Sequence, residues 1–211
     1  MSTPRHRPRQ QRSRFTFEAI LDAAARLFER DGYAATTTNK VAELAGVSIG
    51  TLYHYVPNKD ALLHALVERH IGQGMAALTR VAEELRRTGP PLEETVRALI
   101  EGVVGLHAAE PRMHRLLFDQ APRTPEGITS LRALEASLAA EIEYHLRRLG
   151  AGGTDPGLTA FLLVQGVEAQ VHGVVLEPPH GRSAETCVRA IVDLWVNALR
   201  AISDQPVTKD S

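Results

Sequence analysis

The chain has 211 residues, 44% of them hydrophobic and 23% charged, which excludes a wholly disordered chain and leaves enough apolar surface for one or two packed domains. Its single cysteine, Cys187, excludes an intrachain disulfide framework and any Cys-rich zinc module, and fits a reducing compartment. The net charge of −1 excludes nothing by itself, but residues 1–60 hold nine Lys/Arg against six Asp/Glu while residues 61–211 hold fifteen against nineteen.

The basic excess starts at the N-terminus. Arg5, Arg7, Arg9, Arg12 and Arg14 occur with no acid among the first fourteen residues, and residues 1–13 read as a flexible basic arm suited to a polyanion. Helical periodicity begins at about Phe15. Phe17, Ile20, Leu21, Ala24, Leu27 and Phe28 fall on one apolar face, and Gly32 follows where a C-terminal glycine belongs. Thr36, Thr37 and Thr38 then offer an N-cap for a short second helix to about Ala45. Ser48 is placed to cap a third, Ile49 to Tyr55, which Pro57-Asn58 ends.

A long fourth helix opens at Lys59-Asp60 and runs to about Arg87, before Thr88-Gly89-Pro90-Pro91. Helical signals resume over Leu92 to Ala109, Met113 to Gln120 and Ile128 to Leu149, then over the apolar segment Pro156 to Leu176 and finally Ala184 to Ile202. No alternating strand pattern appears, so the chain reads as all-α with about nine helices. It divides into the arm, a small three-helix domain over 14–60, a larger helical domain over 61–205, and a polar tail over 206–211. Leu158 to Leu176 carries Gln165, Glu168, Gln170 and His172, and so does not read as a membrane span. No apolar segment follows the basic start as in a secretory signal, and the expected location is cytoplasmic, without a membrane partner.

Thr38 to Tyr55 has the logic of a helix-turn-helix. Two short helices flank a turn containing Gly46, where positive φ is needed, and the second helix is sized for the DNA major groove. The surrounding residues sharpen this. The run Ile20-Leu21-x-Ala23-Ala24-x-x-Leu27-Phe28-x-x-x-Gly32-Tyr33-x-x-Thr36-Thr37, then Val41-Ala42-x-x-Ala45-Gly46-Val47-Ser48, Gly50-Thr51-Leu52-Tyr53-x-Tyr55 and Lys59-x-x-Leu62-Leu63 resembles the TetR family of transcriptional repressors. Val56 departs from the pattern, standing where the family usually has Phe. The resemblance is dense over residues 17–63; the remainder matches only in the number and length of its helices.

The resemblance implies a DNA-binding N-terminal domain and a C-terminal domain for dimerisation and ligand binding. On the third helix, Gly50 allows close backbone approach, and Thr51 can meet a thymine methyl or a base acceptor. Ser48, Tyr53 and His54 suit phosphates, which position the helix without reading sequence. Tyr55 is expected in the core and Tyr53 at the surface. Thr37 and Thr38 lie at a helix N-terminus that favours phosphate, and Lys59 adds a cation beside the next helix start, where the family has a phosphate contact. Arg14 and the arginines upstream can follow the backbone or enter the minor groove.

One such domain makes few base contacts, so specificity implies a homodimer on a two-fold double-stranded operator. Leu158 to Leu176 and the last helix, with Ile191, Leu194, Trp195, Ala198 and Leu199, are the expected dimer surface; Gly166 and Gly173 would let helices approach. A largely apolar effector cavity between helices is the second expectation, with Met75, His107, His114, Phe118, Tyr144, Gln165, Glu168 and His172 as candidate lining groups. The expected function is a repressor released by a small hydrophobic effector of unknown identity. An activator of the same fold, or a helical interaction module without DNA binding, remain as alternatives. Enzyme motifs are absent, and carboxylate pairs such as Glu83-Glu84 and Glu93-Glu94 read as solvated faces. No cofactor is implied. The nine histidines are scattered singly, and no close His/Asp/Glu spacing suggests a metal.

Overall fold

The computed structural model describes residues 7–108, 111–120 and 125–203. Among them are nine α-helices and no strand: α1 (Arg7–Ala35), α2 (Thr38–Leu44), α3 (Ile49–Tyr55), α4 (Lys59–Thr88), α5 (Leu92–Ala108), α6 (Pro111–Gln120), α7 (Pro125–Arg148), α8 (Pro156–Gln170) and α9 (Ala184–Ser203). A π turn, Val171–Val175, continues α8, and a 3-10 turn, Pro179–Gly181, precedes α9.

The first helix begins earlier than its apolar period indicates. It starts at Arg7 rather than near Phe15, so the part of the expected flexible arm from residue 7 onward is helical. Pro8 falls in the first turn, where a missing N–H costs nothing, and Arg and Gln are good helix formers. Ser13 also meets Tyr55, with Oγ and phenol oxygen 3.1 Å apart, which ties this turn to α3. Residues 1–6 of the arm and the tail over 206–211 lie outside the described residues.

The chain forms two compact units, Met1–His70 with Arg112–Gly127, and Ile71–Pro111 with Ile128–Ser211. This differs from a boundary at residue 60, and the packing explains why. Leu62, Leu63 and Leu66 of α4 and Leu117 of α6 bury their side chains in the same core as Ile20, Phe28, Val41 and Leu52. Val56 lies in that core too, 4% exposed, so the departure from the family pattern is a change of packing.

The second unit has its own core. Leu99 and Ile100 of α5, Ile142 and Leu146 of α7, Leu163 and Val167 of α8, and Ile191, Val192, Val196 and Leu199 of α9 are its buried centre. Pro156–Val175 is long and apolar enough to cross a membrane by length and composition. Leu163, Val164, Val167 and Val171 from it pack into this core.

Candidate functional site

The local geometry over Thr36 to Lys59 is set by caps and one glycine. Gly32 leaves helical dihedrals with φ +80°, and its carbonyl accepts from the Thr36 hydroxyl at 2.9 Å, which turns the chain out of α1. Thr37 is the N-cap of α2: its backbone is extended and its Oγ1 accepts from the Lys40 N–H at 3.3 Å. Gly46, at φ +68°, makes the turn, and the Val47 N–H donates to the Ala42 carbonyl at 3.0 Å. Ser48 then caps α3, accepting from the Thr51 N–H at 3.0 Å. Val41, Ala42 and Leu52 face inward. The other face of α3 is left to solvent by this arrangement.

Ser48, Gly50, Tyr53 and His54 are exposed, and Thr51 is half-buried with its Oγ1 2.8 Å from Ser48 Oγ. Half of Tyr53 is exposed, and its hydroxyl meets Thr38 Oγ1 at 3.1 Å, so the two helices present their polar atoms together. Tyr55 takes the opposite role: it stacks on Phe17, with ring centroids 5.7 Å apart, against the core. Arg14 is exposed on α1 and Thr37 is exposed at the start of α2.

Lys59 is more tightly held than a pure phosphate ligand would be. Its ammonium donates to the Tyr33 carbonyl at 2.7 Å and lies 4.1 Å from the centre of the Tyr33 ring. The Tyr33 phenol donates to Asp60, and burial together with that carboxylate pushes its pKa up to about 12. The charge is thereby fixed beside the C-terminal carbonyls of α1. Lys40 completes the polar rim and was missing from the residues singled out above. It is exposed, and its ammonium donates to the Ala35 carbonyl at 3.0 Å. Its spacing of three from the Thr37 cap was the available signal.

The expected effector residues separate. Met75 lines a cleft of about 260 Å³ with Leu78, Arg86, Leu138 and Glu141. Glu168 lines a narrower apolar cavity of about 30 Å³ with Leu99, Val103 and Val164, and both His107 and His172 contact its carboxylate. Burial opposes charge on His107, but the hydrogen bond and charge of Glu168 outweigh it and leave the imidazole pKa raised. His114 belongs to the first unit, with Nδ1 3.1 Å from His70 Nε2. Tyr144 is exposed with the Arg86 guanidinium stacked over its ring at 4.1 Å, and Gln165 is exposed; neither lines either cavity. The side chain of Phe118 lies outside the described residues.

The expected dimer surface needs one correction. A Cβ at Gly166 would stand 2.4 Å from Trp195 Cζ2, so this glycine admits the indole of its own chain rather than a partner helix. Trp195 is held there by its N–H, which donates to Gln170 Oε1 at 2.9 Å. Ile191 and Leu199 are likewise buried within the chain. Gly173 has open space around it, and Leu194, Ala198, Phe161 and Leu162 are exposed.

Two short capped helices, a glycine turn between them and a solvent-facing second helix define a helix-turn-helix DNA-binding domain. Residues 20–66 match the family model for bacterial regulatory proteins, tetR family, and residues 91–197 match that for the tetracyclin repressor-like C-terminal domain. The chain belongs to the TetR family and is a DNA-binding transcriptional regulator, not an enzyme. Among its relatives are YerO of Bacillus subtilis, 35% identical over 39% of this chain and 28% of that protein, and YvkB of Bacillus subtilis, 30% identical over 55% and 63%. The chain thus spans less than two thirds of either. EthR of Mycolicibacterium smegmatis is 26% identical over 86% of this chain and 84% of its own. Among solved structures, the SmeT–triclosan complex superposes with a TM-score of 0.64 at 26% identity, over 93% of this chain and 97% of that one. A Mesorhizobium loti regulator shares the fold with a TM-score of 0.70 at 21% identity, over 90% and 98%.

Proposed function

We propose that this regulator is a repressor that binds a palindromic operator as a homodimer and is released by a small, largely hydrophobic effector. The observation that carries the DNA part is the α3 face: Ser48, Gly50, Tyr53 and His54 are exposed on a seven-residue helix fixed by a cap at its start. So short a helix reads few bases, so useful specificity calls for two copies on a two-fold site. Phe161, Leu162 and Leu194, each about half exposed, supply apolar surface on α8 and α9 for a two-fold partner. The cleft at Met75, lined in part by Leu78, Leu99 and Leu138, favours an effector with an apolar body. SmeT, solved with triclosan, lends this support by likeness. In this reading the effector acts through α4, which runs from the first unit into the second, and shifts the population away from the DNA-competent state.

The test is fluorescence anisotropy with DNA flanking the protein's own gene, across a salt series. A saturable complex with one palindromic stretch, two chains per site and a steep salt slope is the expected result. Ser48→Ala should weaken it, because the cap that orients α3 is lost. Weak binding insensitive to sequence at all salt concentrations would overturn the operator reading. A mass of one chain per site would overturn the homodimer.

A further inference from the structure

The end of α5 and the end of α8 with its π turn bring His107 to Glu168 and His172, the first of which lies 61 positions away in sequence. His107 is in the last turn of α5 and 5% exposed. Its Nδ1 is 2.7 Å from the Val103 carbonyl oxygen, and a carbonyl only accepts, so Nδ1 carries the hydrogen. In a neutral ring Nε2 is then a lone pair. It faces another acceptor, Glu168 Oε1, at 3.2 Å. His172 Nε2 lies 3.1 Å from the same oxygen, and the two imidazoles stand edge to face with centroids 4.9 Å apart. For His107, a lone pair pointed at a carboxylate requires a positive charge between them, which a proton or a metal ion can supply.

We propose that His107, Glu168 and His172 bind one divalent transition-metal ion through the two Nε2 atoms and a Glu168 carboxylate oxygen. The spacing suits it. With metal–ligand bonds of about 2.0–2.2 Å, neighbouring ligand atoms on a tetrahedral ion stand about 3.3–3.6 Å apart, so the 3.2 and 3.1 Å contacts need to open by only a few tenths of an ångström. The outer contacts suit it as well, since a metal-bound histidine generally donates its other ring N–H to a carbonyl or carboxylate, as His107 does to Val103. The backbone adds a second observation. Glu168 lies in the last turn of α8 and His172 sits in the π turn, where the Leu176 N–H reaches back five residues to the Val171 carbonyl at 3.1 Å. Such turns recur at functional sites, and this one sets the azimuth of His172 against Glu168. Two imidazoles with one carboxylate select zinc, cobalt or nickel over magnesium or calcium, which prefer oxygen ligands. Glu168 keeps 47% of its side chain exposed and gives an ion a way in. The site does not depend on the operator reading, and either can fail alone.

The experiment uses the untagged full chain, stripped with a chelator and titrated with Co²⁺, with the visible d–d bands as readout and Zn²⁺ affinity obtained by competition. One saturating equivalent per chain is expected. Glu168→Gln and His172→Gln should each weaken binding by more than the roughly 10–100-fold that loss of an outer partner costs, whereas Glu143→Gln, on α7, should not. Glu168 is half exposed, so its variant keeps the fold if the histidine variant does not, and far-UV circular dichroism checks both. A titration with no saturating band, or one that both variants leave unchanged, overturns the proposal. So does a ¹⁵N spectrum in which His107 keeps a proton on Nε2 under excess Zn²⁺, because the positive charge is then a proton and the contact an ion pair.

Discussion

The two units solve different problems with the same kind of helix. In the first, function is written in the backbone: the caps at Thr37 and Ser48 and the turn at Gly46 decide where α3 points, and the side chains follow. In the second, helix rotation decides which side chains meet. A fraction of a turn in phase decides whether a residue meets His107, as Glu168 does, or faces solvent like Gln165. A surface set by caps and a cavity between helices have different needs. The first calls for residues with special dihedrals at set spacings, whereas the second needs only apolar bulk and a few polar groups on the right azimuth.

The comparison breaks first at the cores. Phe28 is 1% exposed at the centre of the first unit. Phe28→Ala should cost about 3–5 kcal/mol, a large share of the roughly 5–15 kcal/mol that holds a domain folded. Hydrogen exchange should then show α1 to α3 losing protection and DNA binding failing, while α5, α8 and α9 keep theirs. Equal loss in both units would make the molecule one cooperative body and void the contrast.

A smaller effect tests the second unit alone. Gly166→Ala places a methyl group 2.4 Å from Trp195 Cζ2. Overpacking of this kind costs about 1–3 kcal/mol, with Tm falling by about 2–4 °C for each kcal/mol in a chain of this size. Trp195 is the only tryptophan, so its emission should shift as the indole moves. Gly173→Ala, with nothing within 4 Å, is the control and should leave Tm unchanged. If Gly166→Ala also leaves it unchanged, the glycine is not there to admit the indole.

The contrast also explains what could be read from the sequence. Gly32, Gly46, Thr37 and Ser48 have roles that a local window reveals, because each satisfies a dihedral or an N–H within three or four residues. Helix number and most boundaries were legible for the same reason. The start of α1 was not, because its first turns, from Arg7 on, carry no apolar period. Nor was the place of α6: Leu117 shares a core with Phe28 although the two lie about ninety positions apart, which no periodicity records. The histidines show the limit most clearly. His107 and Glu168 are separated by 61 positions, so a search for close ligand spacing passes over them. Gly166 was misread because a glycine in an apolar helix signals close approach without saying whose side chain approaches.

The smallest effect concerns charge in the second unit. His145 is 1% exposed on α7, and its Nδ1 accepts from Arg148 Nε at 3.4 Å, so Nε2 carries the proton and donates to Glu141 Oε1 at 3.1 Å. The ring is neutral. Burial is the main reason its pKa lies below the ordinary 6.5, and the Arg148 and Arg86 charges push the same way against the pull of Glu141. Arg86 holds Glu141 below its ordinary 4.5 through paired hydrogen bonds of 2.8 and 2.6 Å. Both shifts have one sign. A pKa lower in the folded state means that the unfolded chain takes up the proton first, so the stabilisation is complete above the unfolded value and declines as pH falls. His145 should act from about pH 6.5 downward and Glu141 only below about 4.5. The raised pKa of His107 has the opposite sign, giving stability present at low pH and lost as pH rises, so the wild-type slope alone decides nothing. The readout is the difference between wild type and His145→Gln. Chemical denaturation between pH 7 and 5 should show the wild type losing more stability than the variant as pH falls. Parallel slopes would mean that His145 titrates alike in the folded and unfolded chain, and that helix phase in this unit has not set its charge.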